Sequence, residues 1–246
     1  MLRFTIFFSI FILLVAGVVY FVFYSHFLLV AGVEISGSAK TEEIKNALIG
    51  NLAGTSKIRR LLGSDNLLFW SPKAIRQIPS SLYWLKDVKI ERNWQDKKIT
   101  INVKEREPWI LWRMTASGNC YWIDEEGIVF SPAPGAEGFI IPKMSEQGDR
   151  QQLLFGQLFD DNPQFAENTL GIIKQLRDSS LKVTEFSIPN PNLDELIAET
   201  NGLKLYFSSR FSLRNFDGIL TDLAGRLNFS KLEYIDFRVE NRIYYK

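Results

Sequence analysis

An uncharged run of 21 residues, Phe4–Tyr24 (FTIFFSIFILLVAGVVYFVFY), constrains this chain more than any other feature. As a helix rising about 1.5 Å per residue it reaches about 31 Å, close to the thickness of a bilayer's hydrocarbon core. Its polar atoms are confined to Thr5, Ser9, Tyr20 and Tyr24. Tyr20, Tyr24 and His26 gather at the downstream end, where amphipathic rings favour the membrane interface. The alternative is a cleaved signal peptide. The run exceeds the usual apolar region of about 7–15 residues, and no clean A-x-A site follows. The expectation is therefore a transmembrane helix over 4–24 behind a short cytoplasmic tail, 1–3. The α-amine and Arg3 precede the run and the next charge is Glu34, so the rest of the chain is expected outside the cytoplasm.

The remaining residues suit one large domain or two small ones. With 46% hydrophobic and 23% charged residues the chain can build packed cores. There are 29 basic and 28 acidic residues, a balance that offers no footprint for a nucleic acid. Cys120 is the only cysteine, so no intramolecular disulfide forms. In its Asn-Cys-Tyr-Trp setting it reads as a small core residue rather than a nucleophile. His26, the only histidine, falls at the bilayer edge, so no Ser-His or Cys-His pair arises beyond it. There is no G-x-G-x-x-G and no P-loop. Asp124-Glu125-Glu126 and Asp160-Asp161 read as turns and solvated loops rather than metal ligands. These features argue against an enzyme, a cofactor or a metal centre.

Val33 and Ile35 alternate with polar neighbours and stop at Gly37, a short strand. Thr41 can cap a helix with Glu42 and Glu43 in its first turn and Ile44, Leu48 and Leu52 along one side. Ser71-Pro72 signals a second helix, with Ile75, Ile78 and Leu82 apolar and Pro79 kinking or ending it. Thr55–Ser71 reads as a long connection. Within it, Lys57-Ile58-Arg59-Arg60 suits either a solvated loop or contact with anionic lipid. Val88, Ile90 and Arg92 share one strand face, and Ile99, Ile101 and Val103 another, joined by a hairpin over 93–97. The order is strand, helix, helix, strand, strand.

After Pro108 strands dominate: Ile110–Met114, Tyr121–Ile123, Ile128–Phe130, a short one at Phe139–Ile141, then Val183–Ile188, Leu193–Glu199 and Leu203–Phe207. A helix starts at Pro163 with Phe165, Ile172 and Leu176 on one side. Another near Ser212–Asn228 carries Leu213, Phe216, Leu220, Leu223 and Leu227. Tyr234–Val239 and Arg242–Lys246 form a closing hairpin over Glu240-Asn241.

Several pieces in this order resemble the bacterial cell-division family FtsQ/DivIB. They are Val33-x-Ile35-x-Gly37; Val88-x-Ile90-x-Arg92-x-Trp94; Ile99-x-Ile101-x-Val103-x-Glu105-Arg106-x-Pro108; Trp112; Asp124-Glu125-Glu126-Gly127-Ile128-Val129-Phe130; and Tyr234-Ile235-Asp236-Phe237-Arg238. The resemblance covers nearly the whole chain. It departs from the family in the short segment before the apolar run and in the length of Thr55–Ser71. It implies an α+β chain: a single transmembrane helix, a POTRA-like β-α-α-β-β domain over 28–107, and an FtsQ-type mixed β-sheet domain with helices over 108–246. It also implies a non-enzymatic divisome scaffold in the bacterial plasma membrane at the septum. FtsB- and FtsL-like bitopic proteins would be partners, with other division proteins at the POTRA-like domain.

On this reading an FtsB-like segment adds as a strand to the C-terminal sheet edge. Unpaired backbone groups there give affinity and alternate side chains give specificity. The partner-binding residues would be Val239, Asn241, Arg242, Ile243, Tyr244 and Tyr245, with Arg210 presenting basic charge. Tyr234, Asp236 and Arg238 share one strand face and either meet the partner or form a polar network that stabilises the hairpin. Arg210 suits either a partner or solvent. Glu105, Arg106 and Pro108 are expected to fix the junction between domains. Two other readings are kept: a POTRA module that hands outer-membrane or secreted chains onward, and a membrane-tethered cell-wall enzyme.

Overall fold

The computed structural model describes residues 2–75, 78–135, 141–181, 183, 185–212 and 216–246, with backbone alone for 2–5 and 74. The chain divides into two compact units, Met1–Glu105 and Arg106–Lys246.

The first unit opens with helix α1, Leu2–Tyr24. It is long and apolar enough to cross a membrane, and none of the span from Ile6 to Tyr24 is buried against protein. A three-stranded sheet follows, in the order β1 (Gly32–Ser36), β3 (Lys98–Glu105), β2 (Leu85–Asn93). β1 runs parallel to β3, and β2 antiparallel to it. Helix α2, Thr41–Gly54, lays Ile44, Leu48 and Leu52 into the core beside Ile99, Ile101 and Ile90. The i, i+4, i+8 stripe and the period-two strands thus fill one core from opposite sides. Thr41 is the first helical residue rather than its cap; Lys40 precedes the helix and no side chain caps it. Gly37 sits at φ +96°, and a Cβ there would lie 2.0 Å from the Val103 carbonyl oxygen. Only glycine fits that approach.

The second helix is displaced from its expected place. Pro72–Ala74 forms a single 3-10 turn, Ile75 is extended, and Ser80–Leu82 makes another short turn. Pro79 lacks an N–H and its ring disfavours helical backbone before it, so Ile75, Ile78 and Leu82 never form a stripe. Arg76 and Gln77, inside the expected helix, lie outside the described residues. The helix that forms is α3, Lys57–Leu62, within the presumed connection.

The second unit holds a nine-stranded sheet. Its strands are β4 (Ile110–Met114), β5 (Cys120–Ile123), β6 (Val129–Pro132), β7 (Lys143–Glu146), β8 (Glu185–Ile188), β9 (Glu195–Thr200), β10 (Leu203–Ser208), β11 (Tyr234–Val239) and β12 (Arg242–Tyr245). They are ordered β12-β11-β10-β9-β8-β7-β4-β5-β6. Two parallel crossovers carry the helices: α4 (Pro163–Asp178) between β7 and β8, and α5 (Phe216–Arg226) between β10 and β11. Phe165, Ile172 and Leu176 of α4 and Phe216, Leu220 and Leu223 of α5 join Trp112, Met144, Phe186, Leu205, Phe207 and Phe237 in one apolar cluster. Asn162 caps α4, accepting from Gln164 N and Phe165 N, with Pro163 at the first helical position.

Most expected strands form within a residue or two of their expected limits. Ile128 contributes only an isolated bridge to Leu158, and its strand runs Val129–Pro132. The expected strand starts at Val183 and Leu193 shift to Glu185 and Glu195, the latter because Pro191–Leu193 turns as a 3-10 helix. Leu213, Phe139 and Ile140 lie outside the described residues, and Ile141 is a bend rather than a strand. β7 went unexpected: in Lys143-Met144-Ser145-Glu146 only Met144 is apolar, yet the strand is central.

Candidate functional site: the β12 edge and its groove

β12 is the outermost strand of the nine-stranded sheet, and no described strand pairs with its outer side. Its register on β11 is Ile235 opposite Tyr245, Asp236 opposite Tyr244 and Val239 opposite Arg242, with a bulge between Asp236 and Val239. Lys246 N donates to Tyr234 O at 3.2 Å, and Tyr234 N donates back to Lys246 O at 3.4 Å. Because antiparallel pairs alternate, Asp236 and Tyr244 also face each other through backbone hydrogen bonds, whereas Tyr245 and Ile243 turn their N–H and C=O groups outward. The free edge therefore belongs to Ile243 and Tyr245. Asn241 turns the hairpin at φ +60°, a conformation its short polar side chain tolerates.

Side chains of the β11–β12 hairpin divide. Ile243 packs on the apolar cluster, while Tyr244, Tyr245 and Val239 are exposed by 47, 51 and 46%. Tyr244 and Tyr245 on the edge strand and Val239 at the end of β11 thus leave large apolar and aromatic surface exposed.

Tyr234, Asp236 and Arg238 are brought together. Arg238 Nη2 lies 2.6 Å from Asp236 Oδ2 and its Nη1 lies 2.8 Å from Glu195 Oε1. The guanidinium also sits 5.0 Å over the Tyr206 ring, which meets Tyr234 edge-on at 5.9 Å. The hydrogen-bonded guanidinium holds the Asp236 carboxyl below the usual aspartate range, and the carboxylates in turn raise Arg238. These three side chains face one another and β9 rather than the open edge.

Arg210 reaches the site from a buried footing. Asn168 Nδ2 on α4 donates to Ser209 O at 2.7 Å, and Thr169 Oγ1 lies 2.8 Å from Ser209 Oγ, all buried. With residue 209 pinned, Arg210 emerges 65% exposed, its Nε donating to Asp194 Oδ2 at 3.0 Å. It lines a groove of about 640 Å³ with Asn168, Phe237, Val239, Arg242 and Ile243. Glu240 and Asn241 line it too, so the groove beside the strand edge is of mixed polar and apolar character, with both signs of charge.

At the boundary of the units the residues divide. Glu105 ends β3 and is exposed, as is Pro108. Arg106 pairs within its own unit, with Asp124 and, at 3.5 Å, with Glu126. Asp124 Oδ1 accepts from Glu126 N at 3.0 Å and Ile128 N at 2.8 Å, closing the acidic turn. That cluster is accounted for by turn geometry. Among the described residues no group of three or more His, Cys, Asp or Glu could hold a metal.

Sequence reading missed the buried Asn168–Thr169–Ser209 set that positions Arg210. It also missed Glu146, 2% exposed, which accepts from Trp112 Nε1 at 3.0 Å and pairs with Arg150 at 2.5 Å. The one signal for the latter is the i, i+4 spacing of Glu146 and Arg150.

No protein-family model matches this sequence, and no curated protein does.

Proposed function

We propose that this protein is an FtsQ/DivIB-like scaffold of the bacterial divisome that captures an extended segment of an FtsB-like bitopic protein on β12. The observation that carries the reading is the outward-facing backbone of Ile243 and Tyr245 beside the Arg210 groove. An added strand would satisfy those groups, and its neighbouring residues would enter the groove where Arg210 favours an acidic side chain. The first unit supports the same reading. Its strand-helix-helix-strand-strand order, with β1 parallel to β3, is compatible with a POTRA-like domain whose second helix is the short α3, and α1 would hold it at the membrane. On this reading the protein acts by recruitment, links FtsB- and FtsL-like partners to other division proteins, and has no catalytic step.

The test is capture of the FtsB-like partner by the full chain in detergent. Tyr245→Pro removes one outward N–H while leaving the β11 ladder intact, and should weaken capture about tenfold with an unchanged melting curve. Tyr244→Pro breaks the internal ladder instead and should lower stability. Undiminished capture by folded Tyr245→Pro contradicts strand addition. Depletion should give filamentous cells without septa; normal septation contradicts the division role.

A further inference from the structure

We propose that α3 lies on the surface of the bilayer that α1 crosses, with Ile58 and Leu61 inserted between headgroups and Lys57, Arg59 and Arg60 bound to anionic lipid phosphates. This rests on α1 being a membrane span, and goes beyond the division role, which does not require it.

A short helix is ordinarily held in place by the apolar side chains it buries. α3 buries none of its residues. Ile58 and Leu61 are 67 and 72% exposed, and their i, i+3 spacing puts them on one side. Lys57, Arg59 and Arg60 alternate with them, and no acid occurs between 57 and 62. Apolar tips with flanking cations are the composition of a segment that lies in the membrane interface.

Its place in the fold is what selects a bilayer over water. Asn66, four residues after α3, is buried, and its Nδ2 donates to Val22 O in the last turn of α1 at 2.8 Å. Leu67 N donates to Leu28 O at 2.7 Å, and Val30 N to Asp65 O at 2.8 Å. The loop after α3 is therefore fastened to the chain as it leaves α1. The β2–β3 turn is fastened there too. Lys97 Nζ donates to His26 O at 3.0 Å and Ala31 N donates to Lys97 O at 2.8 Å. That arrangement adds Phe27 and Trp94, 72 and 49% exposed, to the same end of the unit. Aromatic rings there match the interfacial belt of a membrane protein. The acids nearby are Asp65 and Asp96, the latter held by Asn93 Nδ2 at 2.8 Å.

The experiment uses the full chain with Cys120→Ser and one nitroxide-labelled cysteine at position 58, 61, 42 or 15. It is reconstituted in vesicles of phosphatidylcholine with an equal part of phosphatidylglycerol, or of phosphatidylcholine alone. Collision with oxygen, which partitions into lipid, is compared with collision with a water-soluble nickel chelate. In the anionic vesicles the oxygen-to-nickel ratio at 58 and 61 should rise severalfold above that at 42. Lys57→Glu/Arg59→Glu/Arg60→Glu should return it to the position 42 value, and uncharged vesicles should lower it. A lipid signal at 15 with water-like ratios at 58 and 61 overturns the proposal while leaving the span intact. A water-like ratio at 15 overturns both. Equal lipid ratios at 58 and 61 in both vesicle types, unmoved by the charge reversals, overturn the anionic-phosphate part.

Discussion

Arg238 Nη1 on β11 lies 2.8 Å from Glu195 Oε1 on β9, so one guanidinium reaches across the whole width of β10. The same group is bound to Asp236 and lies over Tyr206 of the strand it crosses. β11 pairs with the edge strand β12, so this clamp ties the strand beneath the edge to β9. Arg238→Ala should lower stability by about 1 kcal/mol, a part-exposed ion pair plus a lost cation–π contact, measured by urea unfolding in micelles. Asp236 titrates below its ordinary value in the fold. Its contribution is therefore present above the unfolded value, about pH 3.9, and lost as pH falls through the folded one. Asp236→Asn should flatten that part of the acid limb; an unchanged acid limb contradicts the clamp.

Asp160 has the opposite sign. Burial raises its carboxyl against a weaker opposing effect of the Asn162 amide bond and Arg150. Its contribution favours the fold below the ordinary aspartate range and is lost as pH rises through the raised value. Asp160→Asn keeps an oxygen for Asn162 N and removes the half-buried charge. The variant should be more stable than wild type at neutral pH, by less than about 1 kcal/mol, with the gain vanishing below about pH 4. Equal stability of the two at neutral pH contradicts this.

Glu146 and Arg150 make a partly desolvated bidentate pair beneath Trp112, with Arg150 Nη1 also donating to Phe159 O at 2.8 Å. Removing the cation leaves a carboxylate 2% exposed. Arg150→Met should cost about 3 kcal/mol, and Glu146→Gln, which keeps an acceptor for Trp112, less. Unfolding followed by tryptophan fluorescence reads both; a neutral Arg150→Met contradicts the assignment.

What was readable in the sequence was periodicity. Ile44, Leu48 and Leu52 announce α2, and Ile99, Ile101 and Val103 announce β3, because a single apolar face dictates both. The closing hairpin was readable from the alternation in Tyr234–Val239. Where burial depends on a partner far along the chain, the signal vanishes. β7 is central because β4 and β8 flank it and Arg150 neutralises Glu146, none of which shows in a Lys-Met-Ser-Glu tetrapeptide. Arg210 was visible as a cation, but its footing is Ser209, whose partners Asn168 and Thr169 lie 41 and 40 positions from it along the chain. The second helix went wrong because Ser71-Pro72 is a start signal whose continuation Pro79 forbids.

Gly37 gives a local test of the first unit. A methyl group there meets the Val103 carbonyl at a distance no contact tolerates, at a φ that L-residues avoid. Gly37→Ala should cost about 2–4 kcal/mol. Gly50, within α2 with nothing near its missing Cβ, should instead gain about 0.5–1 kcal/mol as alanine. Thermal unfolding of the two variants should therefore move in opposite directions; a parallel shift contradicts the placement of Gly37 against β3.

The claim that β12 is an open docking edge is tested most directly by amide hydrogen exchange at single-residue resolution, with and without the FtsB-like partner. In the free protein Ile243 and Tyr245 should exchange rapidly and Tyr244 slowly, because only the last bonds to β11. Saturating partner should slow Ile243 and Tyr245 by about tenfold or more while leaving Tyr244 unchanged. Equal exchange at Ile243 and Tyr245 in the free and bound states would contradict strand addition at β12.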